Sequence, residues 1–216
     1  GVQTCALPIF LFVFVALSSA ISFAKAPSQK TIILETMEIP PFMSAAMPYE
    51  GAATYATREM LKKAGYNLEV RFVPIMRIRN LKFSKPDVNG FFPSFVDDDF
   101  VEGLTLSKTV YETPWVIIER KDHPIKWKEP KDLAAYKGGN VNGYTIRSQI
   151  RKIYEENKLN IETAPDDALN ILKLANKRVD YIFTDAHIFK FLMATDPRLK
   201  PFANELQINK IGRAHV

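Results

Sequence analysis

Cysteine is nearly absent from this chain of 216 residues: there is one, Cys5. It lies upstream of the longest apolar run, whereas a lipoprotein cysteine would follow such a run directly. The part after that run has no thiol, which excludes disulfides, cysteine-based metal sites and a cysteine nucleophile there. Histidine is almost as scarce, with only His123, His187 and His215. No two of them stand at the spacing that holds a metal on a helix, so a metal centre is not expected. A Gly-x-Ser-x-Gly elbow, a phosphate loop and a dinucleotide fingerprint are also missing, which removes the common hydrolase, nucleotidase and dehydrogenase signatures and leaves no cofactor to expect. Gly138-Gly139-Asn140-Val141-Asn142-Gly143 is glycine-rich but has no P-loop lysine, and reads as a tight turn. Asp97-Asp98-Asp99 and Asp166-Asp167 read as solvated loop and helix-start charges. Charge of one sign is not in large excess: 29 Lys and Arg stand against 24 Asp and Glu. The basic residues are scattered among acidic ones, so no nucleic-acid stripe is expected.

What is present is apolar material enough for a packed core, 47% of residues with 12% aromatic. Leu7 to Ala20 is an uncharged apolar run, and Ser22-Phe23-Ala24 then offers the small residues a signal peptidase requires. Cleavage after Ala24 and export to the periplasm are the expectation. The run is short of the roughly 20 apolar residues of a membrane span, although an uncleaved anchor is the alternative. The opening residues 1–9 and the closing Ile211-Gly212-Arg213-Ala214-His215-Val216 do not continue the patterns beside them. Both are expected to be non-native, like translated adapter sequence.

Between these ends, strand and helix signals alternate. Thr31 to Leu34 reads as a buried strand ending in the turn former Glu38-Ile39-Pro40-Pro41-Phe42. Ala53, Ala56, Met60 and Ala64 recur at helical spacing, with Gly65 as the stop. Leu68, Val70 and Phe72 alternate with charged residues as a half-wet strand. A helix from about Ile75 to Ser84 and a strand near Val88 to Phe92 complete a β-α-β-α-β unit, the mark of a parallel sheet. After a β-rich run over Thr113 to Glu119 comes a helical turn near Asp132 to Tyr136, and a second unit follows. It comprises a strand at Asn140 to Asn142, helices at Ile146 to Asn157 and Pro165 to Lys177, a strand at Val179 to Thr184 and a helix at Ala186 to Ala194. Thr163-Ala164-Pro165-Asp166 reads as a capping box with proline at the first helical position.

Taken in order, these segments resemble bacterial extracellular solute-binding proteins of family 3. The points of similarity are Glu38 to Phe42, Gly51, Val73-Pro74 before a helix, and Asn89-Gly90-Phe91-Phe92-Pro93-Ser94. They continue with Leu106-Ser107-Lys108-Thr109-Val110-Tyr111 and Val179 to Asp185. The resemblance covers about Lys30 to Ile208 and rests on order and spacing, since each motif is short. It implies an α/β, two-lobed periplasmic-binding-protein fold of the type II kind, each lobe a mostly parallel sheet with flanking helices. Two crossing strands would join the lobes, at Trp115 to Arg120 and near Pro201 to Ile208. The expected division is a signal segment 1–24, a first lobe 25–119, a second lobe 120–203 and the start of a return crossing in 204–216. Because family members add another strand and helix, the first lobe is expected to be incomplete at its C-terminal end.

The same resemblance implies a small polar solute, an amino acid or related metabolite, held in the cleft for ABC-type uptake by a monomer that docks on an inner-membrane permease. A ligand-sensing domain of a membrane receptor is the alternative; an enzyme on the same bilobal fold is a third. The family's Thr-x-x-Arg, whose guanidinium forks onto a ligand carboxylate, has no counterpart in Phe95 to Val101, which carries three acids instead. Either another arginine supplies the charge, with Arg77 and Arg147 as the candidates, or the ligand is not a standard amino acid; Arg147 stands beside Tyr144 and Thr145 at a helix start, and the alternative for both arginines is an ordinary surface position. Asp185 follows a strand at its carboxyl end, where open parallel sheets bind ligands, and would accept an ammonium; its alternative is a helix N-cap. Phe42 and Phe92 stand at strand ends as aromatic walls or as core, Glu38 could reach a cationic group, and Ser94 could donate one hydrogen bond.

Overall fold

The structure, a computed structural model, describes residues 30–79, 85–94, 104–144 and 159–209, together with Arg151, Glu155 and Glu156. Two sheets organise the chain. In the first, β1 (Lys30–Thr36) lies between β2 (Tyr66–Phe72) and β3 (Gly90–Phe91), all parallel. The helix α1 (Ala52–Lys63) crosses from β1 to β2, and the short α2 (Ile75–Arg79) follows β2. Gly65, at φ +85°, ends α1 in the left-handed region where glycine alone is unstrained. Met37, Met43, Ala53, Ile78 and Phe92 form the core under this sheet.

The second sheet has the order β6-β5-β7-β4-β8. Its parallel part is β6 (Asn160–Ala164), β5 (Lys137–Val141) and β7 (Tyr181–Asp185). The strand β4 (Trp115–Arg120) pairs antiparallel with β7 on one side and with β8 (Leu206–Asn209) on the other. The resemblance puts the two crossings at β4 and β8, and both strands lie in the second sheet. Glu119 ties them: its carboxylate accepts the Ile125 amide at 2.9 Å, Gln207 Nε2 at 2.7 Å and Asn209 Nδ2 at 2.9 Å. Helices α3 (Asp167–Ala175) and α4 (Ala186–Thr195) pack Ala168, Ile171, Leu174, Ile188, Phe189 and Leu192 against Val116, Ile118 and Ile182. On the other face Trp115 stacks on Phe183 with ring centroids 5.3 Å apart, beside Ile117, Leu133 and Tyr181. Buried Arg120 donates from Nη1 to the carbonyls of Leu174 and Val179 at 3.1 and 2.7 Å, the first of them in the last turn of a helix, where carbonyls lack intrahelical partners.

Two sequence expectations are corrected. The cap of α3 is Asp166, whose Oδ1 accepts the Leu169 amide at 2.8 Å, so Thr163 and Pro165 lie before the helix rather than in a capping box. Thr163 belongs instead to β6, a strand the sequence pattern did not reveal. Gly138-Gly139 is not a turn but the interior of β5. A Cβ on Gly138 would come within 2.6 Å of the Tyr181 ring and 2.5 Å of Ile161 Cδ1, so these side chains from the two flanking strands occupy the space that any larger residue there would need. The expected helix 146–157 falls largely outside the described residues. Among the described residues no helix is long and apolar enough to cross a membrane, and no group of three His, Cys, Asp or Glu is placed to hold a metal ion.

Candidate functional site

The carboxyl ends of the parallel strands of both sheets lead to the same place. From the first sheet, β1 runs into the turn Ile39–Met43, closed by reciprocal backbone bonds of 2.7 and 3.0 Å. From the second, β5 runs into Asn142-Gly143-Tyr144 and β7 into the cap of α4. The two sets touch. Phe42 lies edge-on to His187 with centroids 6.2 Å apart, and Ile39 and Phe42 pack against the cores of both sheets. Arg79 Nη1 donates to the Gly143 carbonyl at 3.1 Å, while Ile75 and Met76 lie against Gly143. A cleft between lobes, with strand carboxyl ends on either side, is where open α/β sheets place ligands.

On the second-lobe side stands Asp185. Its Oδ1 accepts the amides of His187 at 2.6 Å and Ile188 at 3.2 Å, so the residue caps α4, and it is 5% exposed. The N-cap role weighed in the sequence is therefore realised with one carboxylate oxygen. Tyr111 lies near it, its ring stacked on Phe42 at 5.8 Å, and burial together with the Asp185 charge pushes its phenol up to about 12. Tyr144 donates its hydroxyl to Asp167 at 2.7 Å, and Thr184 donates to the other oxygen of Asp167 at 2.9 Å. Burial raises the Asp167 carboxyl to about 6; the two hydroxyl donors oppose that rise, and the charges of Asp166 and Asp185 add to it. Burial, and then the same carboxylate, push the Tyr144 phenol well above its ordinary value. The solvated reading of Asp166-Asp167 holds for Asp166, which is exposed, but not for Asp167, which is buried.

On the first-lobe side, Arg77 Nε sits 3.7 Å from Oε1 of Glu35, a carboxylate on β1 whose residue is 2% exposed. The Arg77 side chain is about one-third exposed, so the guanidinium spans from this buried anion toward solvent. Glu38 is exposed and accepts the Ala45 amide at 3.0 Å, closing its own loop. Phe92 packs in the first-lobe core, while Phe42 is half-buried at the junction of the lobes. Ser94 is half-buried at the end of the β3 segment. Thr145 and Arg147 lie outside the described residues, as does the acidic stretch Asp97-Asp98-Asp99. The structure thus brings Phe42, Tyr144 and Asp185 to the lobe junction, with Arg77 on the helix that meets Gly143. It adds Tyr111, Asp167, Thr184, His187, Gly143 and Arg79, which the sequence reading did not single out as site residues.

Solved structures share this fold. The ligand-binding core of GluR0 from Nostoc punctiforme, in complex with L-glutamate, superposes with a TM-score of 0.63 at 17% identity, over 84% of this chain and 80% of that one. An ancestral arginine-binding protein bound to arginine gives 0.62 at 17% identity over 86% and 82%. The fold is that of the two-lobed periplasmic binding proteins. The periplasmic VFT2 domain of Bordetella pertussis BvgS gives 0.62 at 15% identity over 87% and 78%. No family model matches the chain, and no curated protein sequence does.

Proposed function

We propose that this chain captures a small polar solute, an amino acid or related metabolite, in the cleft between its lobes and releases it unchanged. The observation that carries the reading is the convergence of strand carboxyl ends from both lobes on Phe42, Tyr111 and Asp185. Structures of the same fold hold glutamate and arginine, which supports an amino-acid-like ligand. In this reading the Asp185 carboxylate receives an ammonium, Phe42 and Tyr111 wall the apolar part, and Arg77 or Arg147 meets a carboxylate. Glu38, Ser94, Tyr144, Thr145 and Phe92 complete the expected lining, Phe92 and Tyr144 through the packing that positions the loops.

The proposal extends to an exported, monomeric protein that delivers its solute to an inner-membrane ABC permease, with lobes near 25–119 and 120–203 and β4 leading from the first lobe into the sheet of the second. A ligand-sensing receptor domain shares the same cleft, and the GluR0 and BvgS domains lend that reading support. Native mass spectrometry of protein purified without denaturation, followed by a thermal-shift screen of amino acids, polyamines and small carboxylates, tests capture. A retained or added small molecule that raises the melting temperature and is recovered intact supports it. A molecule recovered chemically altered refutes it.

A further inference from the structure

The contact between α2 and the turn after β5 joins residues far apart in sequence, and Ile75 brings it to the edge of the first sheet's core. Gly143 sits at φ +82°, and its carbonyl accepts the Arg79 guanidinium at 3.1 Å. A Cβ at position 143 would lie 2.8 Å from Ile75 Cγ2 and 3.1 Å from Met76 Sδ, so the first lobe rests on the bare α-carbon of the second. The turn is also anchored from its own side. Asn140 Nδ2 reaches the Tyr144 carbonyl at 3.5 Å, and the Tyr144 hydroxyl holds Asp167 at 2.7 Å. The second-lobe half of the contact is therefore preset by the packing of β5 against α3, and only the approach of α2 is left to vary.

We infer that Gly143 and Arg79 form an interlobe latch, which sets how far the cleft closes and so how tightly it holds what it captures. The inference rests on the cleft reading above. A side chain at 143 would prop the lobes apart, and loss of the Arg79 donor would remove a bond made only when they meet. If either change lowers the closed fraction tenfold, apparent affinity falls about tenfold in step, because only the closed state is counted as binding-competent.

The test separates closure from folding and from ligand identity. In the full chain carrying Cys5→Ser, spin labels on cysteines replacing the exposed Lys62 of α1 and Lys190 of α4 report the distance between lobes by electron double resonance, with no ligand added. Gly143→Ala and Arg79→Ala are expected to shift the distribution to longer distances. Gly143→Ala also places a side chain in the left-handed region, which destabilises the turn whatever the lobes do. Adding Ile75→Ala to Gly143→Ala therefore supplies the decisive comparison: it should return the distance toward the parent value while leaving the loss in melting temperature unrepaired. A distribution unchanged by both single variants overturns the latch. So does a shift that Ile75→Ala fails to reverse. The outcome does not depend on which solute binds, so a failed solute screen with a working latch would count against the function alone.

Discussion

Replacing Asp167 with asparagine should stabilise the protein above neutral pH and do nothing of the kind in mild acid. The carboxyl is buried between Tyr144 and Thr184, with Asp166 and Asp185 as its charged neighbours, and its affinity for a proton rises from an ordinary 3.8 to about 6. Between those values the folded state binds the proton that the unfolded chain has released. Stability contributed by this group is therefore lost as pH rises through the window, and the whole cost is present above about pH 6. At about 1.4 kcal/mol for each tenfold change in proton affinity, the cost is about 3 kcal/mol. Asparagine keeps a carbonyl oxygen for one hydroxyl but adds an amide that needs acceptors, so the net gain should be smaller, about 1–2 kcal/mol. For a chain of this size that raises the melting temperature by about 4 °C at pH 7.5. Urea titrations from pH 4.5 to 8, followed by the fluorescence of Trp115 and Trp127, give the difference between variant and parent. Carboxylates held below their ordinary values by cations, such as Glu162 at about 2 beside Lys137 and Lys173, titrate alike in both proteins and cancel. A difference that stays constant from pH 4.5 to 8, or a parent more stable than the variant at pH 7.5, would refute the reasoning.

Other substitutions test neighbouring parts of the account. Gly138→Ala should cost about 1–3 kcal/mol by crowding Tyr181 and Ile161, seen as a lower urea midpoint without a change in slope. Glu119→Ala leaves Ile125, Gln207 and Asn209 without their acceptor and should cost about 3 kcal/mol, measured in the same titration. Lys126→Ala, at an exposed position, should change stability by less than about 0.5 kcal/mol and serves as the control.

Much of the scaffold was legible because its elements announce themselves locally. The apolar period of α1 with Gly65 after it, the alternation of β2 and the β-branched run of β4 each specify one structure without help from elsewhere. The edge strand β6 does not. Asn160-Ile161-Glu162-Thr163-Ala164 has one large apolar side chain, and its stabilisation comes from pairing with β5 and from Glu162 meeting Lys137, Lys173 and Arg178 at 2.8, 2.7 and 3.1 Å. These partners are distant in sequence, so no local pattern marks the strand. Asp167 could have been found. Counting from it along α3, Asn170, Ile171 and Leu174 share its face, and that face is buried. An acid on the apolar face of a helix, beside an acid already serving as the cap, signals a buried carboxylate with hydroxyl partners. At the cleft, Asp185 was visible from its place at the end of β7, but the Arg79–Gly143 contact depends on how two lobes meet, which no single segment encodes.

In this reading the cleft holds a solute through Asp185 without transforming it. Isothermal titration of the chain with the solute identified in the screen, repeated for Asp185→Ala and Arg77→Ala, measures both the capture and the part Asp185 has in it. A charge-assisted hydrogen bond contributes roughly 1.5–3 kcal/mol, so saturable one-to-one binding should weaken about tenfold to a hundredfold in Asp185→Ala, and in Arg77→Ala if the solute carries a carboxylate. Full affinity retained in the Asp185 variant, or continuous heat from turnover of the solute, would contradict it.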